Sequence, residues 1–174
     1  MMERGAFAEL HCLSNYSFLR GASHPEELVY KASDLGYSAI AITDECSYSG
    51  LVKAHVAAKQ CGIKLIVGAE FFVDMTHGEE KNSVENIIML APTRQAYGQL
   101  SAFISKIRRK NQKGNSYLCY EDCQIGLSDC LILWSPELQD IDIQVSIGHK
   151  LKTIFQNFWI TLELFQDGFD IDKT

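Results

Sequence analysis

Gly36-Tyr37-Ser38-Ala39-Ile40-Ala41-Ile42-Thr43-Asp44 and Gly62-Ile63-Lys64-Leu65-Ile66-Val67-Gly68-Ala69-Glu70 are two versions of one pattern: a glycine, a short apolar run, a carboxylate. The glycines stand 26 residues apart, and so do the carboxylates. Each glycine closes a helical stretch, where a left-handed cap suits Gly. Tandem strand–helix units imply parallel strands joined by right-handed crossovers. The two carboxylates then fall at the C-terminal ends of neighbouring strands, where both open α/β sheets and α/β barrels build their sites.

Outward from this repeat, the helix before Gly36 is predicted to start at Ser23-His24-Pro25-Glu26. Ser23 caps it, Glu26 reaches back as a capping box, and Pro25 sits harmlessly in the first turn. Leu28, Val29, Ala32 and Leu35 make its apolar face. The next helix starts near Ser49, with Leu51, Val52, His55, Val56 and Ala58 as the expected buried face. Further strands are expected at 6–11, 86–91, 130–134 and 158–164, six in all. Helices are expected at 94–109, with Tyr97, Leu100, Phe103, Ile104 and Ile107 on one face, and within 138–155. Polar segments 76–83 and 111–116 read as loops.

The chain has 174 residues, enough for one domain, with 47% hydrophobic and 22% charged residues. Its net charge of −6 makes it a poor nucleic-acid binder by itself, since phosphate contacts need clustered Lys and Arg. No apolar run approaches the roughly 18 residues of a membrane span. The start lacks the basic and apolar segments of a secretion signal, so a cytoplasmic location is expected. The six cysteines read as reduced core residues. Cys119 and Cys123 are near neighbours, but no second pair follows at zinc-site spacing.

The polar residues at the predicted strand ends are His11, Asp44, Glu45 and Glu70. A histidine and carboxylates converging at one barrel mouth suit a hard or borderline divalent metal, which can activate water and steady charge on a phosphate. The competing reading has Asp44 and Glu45 capping the next helix or facing solvent, and His11 as a hydrogen-bonded structural residue. His24, His77 and His149 are expected at the surface, and His55 partly buried. Tyr16-Ser17-Phe18-Leu19 reads as packing, with Ser17 a candidate phosphate contact. Lys106, Arg108, Arg109, Lys110 and Lys113 end a helix. They read as a solvated, dipole-compatible terminus or as a contact for a nucleic-acid backbone or an acidic partner.

Leu10-His11-Cys12-Leu13-Ser14-Asn15-Tyr16-Ser17-Phe18-Leu19-Arg20-Gly21-Ala22 resembles the opening motif of the PHP (polymerase and histidinol phosphatase) domain. It is more closely similar to the amino terminus of the bacterial DNA polymerase III alpha subunit. Ala41-Ile42-Thr43-Asp44-Glu45 and Ile66-Val67-Gly68-Ala69-Glu70-Phe71 resemble that family's second and third motifs. The wording of His11 to Asn15, of Ser23 to Leu28, of Ile107 to Lys110 and of Cys130 to Trp134 resembles the error-prone paralogue.

The resemblance implies an α/β fold, a distorted (β/α)7 barrel with a metal cluster at one mouth, here incomplete at its C-terminal end, with residues 1–174 as one PHP domain. Of the family's ligand positions, His11, Asp44 and Glu70 match. Leu13, Glu45 and Asn86 stand where the family has histidines, and the final Asp-x-His pair expected after Leu164 does not follow. Leucine has no lone pair, asparagine offers a neutral oxygen, and Glu45 prefers a harder ion than imidazole does. The implied site is therefore degenerate and holds at most one weakly bound divalent ion (Zn, Mn or Mg). The implied function is that of the N-terminal PHP domain of an error-prone DNA polymerase, acting in translesion synthesis and repair as scaffold or interaction module. Its implied partners are the rest of the polymerase chain and other polymerase or mutagenesis subunits, with DNA reached only through the parent and no membrane contact. The alternative is a free-standing metal-dependent phosphoesterase, histidinol-phosphatase-like or 3′-exonuclease-like.

Overall fold

A computed structural model of the chain describes residues 7–75, 84–124, 126–136 and 141–163. Strand β1 (Ala8–Glu9) leads through a long loop into α1 (Pro25–Asp34), then β2 (Ala39–Ile42), α2 (Leu51–Cys61) and β3 (Lys64–Asp74). After β4 (Val84–Ala91) and α3 (Arg94–Lys110) come β5 (Leu118–Cys119) and the short 3₁₀ turn Tyr120–Gln124. Strand β6 (Leu131–Ser135), α4 (Ile141–Ile154) and β7 (Phe158–Ile160) complete the described residues.

The repeat that opens the sequence forms a parallel pair, with Ala39 to Ile42 of β2 beside Lys64 to Val67 of β3. Gly36 and Gly62 both adopt left-handed backbone, at φ 76° and 77°, and end their helices as expected. The sheet runs β1-β2-β3-β4-β6-β7, with β5 beside the far end of β3. Beyond Val67, β3 leaves β2 and continues antiparallel to β4 as far as Asp74. The resulting sheet is curled like part of a barrel, and β1 and β7 are its edges.

Alternation along the strands divides the core between two faces. Ile40 and Ile42 pack under α1 and α2 with Val29, Ala32, Ala54, Ala57 and Ala58. Phe71, Val73, Ile87, Met89, Ile132 and Trp134 meet α3 and α4 through Leu100, Phe103, Ile107, Ile147 and Leu151. The alternate residues Ala41, Ile88, Leu90 and Leu133 gather on the other face with Ile66 and Leu131. There a cavity of about 500 Å³ reaches from Leu10, just after β1, to Trp159 and Ile160 of β7.

Several local expectations change. His24, not Ser23, is the N-cap of α1, and the Glu27 carboxylate accepts its N–H at 2.8 Å. The box is shifted by one residue because Pro25 takes the first helical position. On α2 the buried row is Ala54, Ala57 and Ala58, while Val52 and Val56 are exposed and His55 faces solvent. Small side chains let α2 lie close against its neighbours, which turns the valines outward. Strand β4 is antiparallel to both β3 and β6. The edge strands are shorter than expected, and β5 is an additional strand. The expected loop at 76–83 and the end of the last strand at Leu164 lie outside the described residues.

Candidate functional site

The loop from Cys12 to Ala22 is drawn tightly onto the end of β2. Ser17 N–H bonds the Ser14 carbonyl at 2.9 Å, and Gly21 N–H bonds that of Ser17 at 2.9 Å. A Cβ at Gly21 would stand 2.0 Å from the Ser14 oxygen, so only glycine fits this close approach. Asp44 is the anchor. Its buried carboxylate accepts the Ser14 N–H at 2.8 Å, the Ser14 hydroxyl at 2.7 Å and the Ser17 hydroxyl at 2.8 Å. Ser17 Oγ in turn accepts the Glu45 N–H at 3.0 Å. Ser17 is thus engaged in a protein clamp.

Glu70 lies inside β3 rather than at its end, with four strand residues after it, and is fully buried. Its N–H bonds the Thr43 carbonyl at 3.1 Å, and its carbonyl accepts the Cys46 N–H at 2.9 Å, which ties β3 to the turn after β2. Cys46, fully buried, holds φ at 43°, a strained left-handed value at the centre of the site. The Glu70 carboxylate receives His11 Nε2 at 2.7 Å and both terminal nitrogens of Arg20, Nη2 at 3.3 Å. Burial pushes the Glu70 pKa up, but the hydrogen bonds from His11 and Arg20 hold it below the usual carboxylate range.

His11 stands between two carboxylates, because its Nδ1 meets Glu163. Burial disfavours the imidazolium, but hydrogen bonds to Glu163 and Glu70 and their charges outweigh it, raising the pKa to about 9. At neutral pH the ring is a cation with both nitrogens occupied. Arg20 Nη1 also reaches Glu45 at 3.4 Å, and its guanidinium lies 4.8 Å over the Phe72 ring. Glu45 further accepts the Ser116 hydroxyl at 2.7 Å. Arg108 of α3 donates to the Glu45 and Cys46 carbonyls at 3.1 and 3.0 Å.

Of the four residues singled out in the sequence, the fold thus joins His11 and Glu70 directly. Arg20 links Glu45 to them, and Asp44 is turned into the serine clamp. Among the described residues, no group of three His, Cys, Asp or Glu side chains is arranged to hold a metal ion. Asn86 lies opposite Phe72 in the β3–β4 ladder, and its buried Oδ1 has no hydrogen-bond partner among the described residues. A divalent cation at the mouth does not fit this arrangement: the facing donors are committed to Arg20 or to one another, and Leu13 offers none.

Arg20, Ser14, Ser116 and Glu163 escaped the sequence reading, and Arg108, expected to face solvent or a partner, instead braces the turn after β2. Two signals were available. Arg20 is the one Lys or Arg between Arg4 and Lys31, and it falls in the loop after the first strand. Glu163 lies near the end of the strand expected at 158–164, a carboxylate at a strand end like Asp44.

Elsewhere, Phe18 and Leu19 are 84% and 90% exposed rather than packed. The basic cluster is largely engaged: Lys106 and Lys110 flank Asp122, Arg108 caps the turn after β2, and Arg109 bonds the Ser105 carbonyl. Burial pushes the Cys123 thiol up to about 12, unlike a metal-ligating thiolate. His24, His55 and His149 are exposed, and His77 lies outside the described residues.

Residues 9–157 match the PHP domain family. An error-prone DNA polymerase of Idiomarina loihiensis is 48% identical over 158 residues, which cover 90% of this chain and 14% of that protein. The chain therefore spans about a seventh of the length of the polymerases it matches. Among solved structures, an amidohydrolase from Chromobacterium violaceum superposes with a TM-score of 0.64 at 17% identity, covering 88% of this chain and 76% of that one. A candidate metal-dependent phosphoesterase from Bifidobacterium adolescentis gives 0.57 at 13%, covering 82% and 74%. No helix among the described residues is long and apolar enough to cross a membrane. With 149 consecutive residues matched, the chain belongs to the PHP domain family.

Proposed function

We propose that this chain is the amino-terminal PHP domain of an error-prone, polymerase III alpha-type DNA polymerase of the cytoplasm, serving as scaffold or interaction module beside a catalytic centre that lies elsewhere in the parent. The parent would copy damaged templates during repair, and DNA would be reached through its other domains. The observation that carries this reading is the closed network Glu163–His11–Glu70–Arg20–Glu45 at the barrel mouth. A metal-dependent phosphoesterase needs open coordination positions and a nucleophilic water there. In this mouth the carboxylates are engaged by His11 and Arg20, which leaves no open set of oxygens among the described residues to hold a metal that would activate a water. The identity to error-prone polymerases supports the choice of parent.

The test has two parts. Sequencing the gene beyond Thr174 should reveal a palm domain with paired aspartates, and a gene ending at Thr174 would remove the polymerase. Purified chain should carry no stoichiometric metal and should not hydrolyse phosphomonoesters or 3′-ended DNA with added Mn²⁺ or Zn²⁺. Stoichiometric metal and turnover abolished by His11→Ala would instead establish the phosphoesterase reading, which the Bifidobacterium fold neighbour favours.

A further inference from the structure

We infer that the Arg20 guanidinium is the resident cation of the barrel mouth, shutting out a divalent ion that the remaining oxygens would otherwise accept. The inference rests on the reading that the mouth holds no catalytic metal, and deepens it by naming the group responsible. Glu70 is fully buried, and a buried carboxylate demands a counter-charge. Arg20 supplies one through both terminal nitrogens and shares Nη1 with Glu45. This fork geometry suits a carboxylate better than a lysine ammonium does, and the guanidinium never loses its proton in water. The Phe72 ring supports its face.

Attachment decides the competition with a free ion. Arg20 leaves a loop that Asp44 fixes through Ser14 and Ser17, and its own N–H bonds the Ser17 carbonyl at 3.0 Å. The guanidinium is therefore presented at high effective concentration with little entropy left to lose. A dissolved ion would have to displace a bidentate charged pair. It would also have to shed water and take up carboxylates that are already hydrogen-bonded to protein cations. Without Arg20, Glu45 and Glu70 would face one another with only the His11 contact left on Glu70. The orphan Oδ1 of Asn86, opposite Phe72, adds a neutral oxygen to the same region. Such an oxygen-rich set selects hard ions, Mn²⁺ or Mg²⁺, over Zn²⁺.

The experiment is Mn²⁺ titration of the 174-residue chain, by calorimetry and by the metal-induced rise in Tm, on wild type, Arg20→Ala, Arg20→Gln, Arg20→Lys and the double variant Arg20→Ala with Glu70→Gln. We expect no saturable binding to wild type or Arg20→Lys. Arg20→Ala and Arg20→Gln should gain binding at least tenfold tighter, and Glu70→Gln should reverse that gain. Should Arg20→Ala not fold, Arg20→Gln, which keeps hydrogen-bond donors, carries the comparison. Should neither fold without metal, recovery of native circular dichroism in Mn²⁺ supports the inference, and failure to recover overturns it. Silent Arg20→Ala and Arg20→Gln, or Arg20→Lys binding as tightly as Arg20→Ala, also overturn it while leaving the proposed function intact. Stoichiometric Mn²⁺ on wild type overturns the proposed function as well.

Discussion

His11 and Glu163, separated by 152 positions in the chain, share a hydrogen bond across the two edges of the sheet. His11 follows β1 and Glu163 follows β7, the two strands with no further partner in the strand order. Elsewhere along these edges a cavity separates Leu10 from Ile160. The pair therefore acts as a clasp at the mouth, where no backbone ladder among the described residues joins the edges. Both side chains are mostly shielded, so solvent screens the contact less than at a free surface. Glu163→Gln is expected to destabilise the chain by about 1 kcal/mol, the scale of a charge-assisted hydrogen bond discounted for partial exposure. Urea denaturation checks this; an unchanged midpoint would mean that the clasp is idle.

Asp44 has a different part from the one its position suggested. Three donors converge on its buried carboxylate, and each would be orphaned by truncation. Asp44→Ala should therefore cost about 3 kcal/mol or more, since buried unsatisfied polar groups cost about 1–3 kcal/mol apiece. Ser17→Ala, which removes one donor and the acceptor of the Glu45 N–H, should cost about half as much. Solvent-facing Asp44 would lose far less on truncation, and a small shift in the urea midpoint would refute the clamp.

The strands around the site were legible because glycine, apolar run and carboxylate are local signals. Gly36 and Gly62 punctuate the helices, and Asp44 marks the end of β2, whereas Glu70 marks β3 but not its end. The outward face of α2 was not legible, because Val52 and Val56 outweigh alanines in any hydrophobic count while close helix packing prefers Ala54, Ala57 and Ala58. Nor was the direction of β4: alternation fixes which face Ile87 and Ile88 take, but not the sense of the strand. The cation at the mouth was missed for a similar reason. Arg20 and Glu70 lie 50 residues apart, and pairing at that distance is decided by the fold.

Asp122, buried within the 3₁₀ turn after β5, carries a pH signature of its own. Burial pushes its pKa up, but hydrogen bonds from Lys110 Nζ at 2.5 Å and from the Cys119 N–H at 3.1 Å pull it below the usual aspartate value. A folded-state pKa below the unfolded one means that the carboxylate stabilises the fold fully above about pH 4. That stabilisation is lost as pH falls through the lower, folded value. Wild type should therefore exceed Asp122→Asn in stability at pH 6, and the gap should close on acidification toward pH 3. Urea midpoints for both proteins across this range give the answer, and a gap that stays constant with pH would rule out the ionised Asp122–Lys110 pair as its source.

Leu19 offers the opposite sign. Its φ is 62° and its side chain is 90% exposed, so a leucine holds a left-handed conformation with no burial in return. The loop tolerates this because its neighbours are fixed on both sides, Ser17 by Asp44 and Arg20 by Glu70. The left-handed conformation costs a branched-chain L-residue roughly 1–2 kcal/mol and costs glycine nothing, although glycine gains freedom in the unfolded chain. Leu19→Gly is therefore expected to stabilise the isolated chain by about 0.5–1 kcal/mol, seen as a higher Tm. Leu19→Val, which adds β-branching to the same strained backbone, should lower it. If glycine destabilises instead, Leu19 is making a contact in solution that its exposure conceals, and the next place to look is the partner surface that this tip addresses.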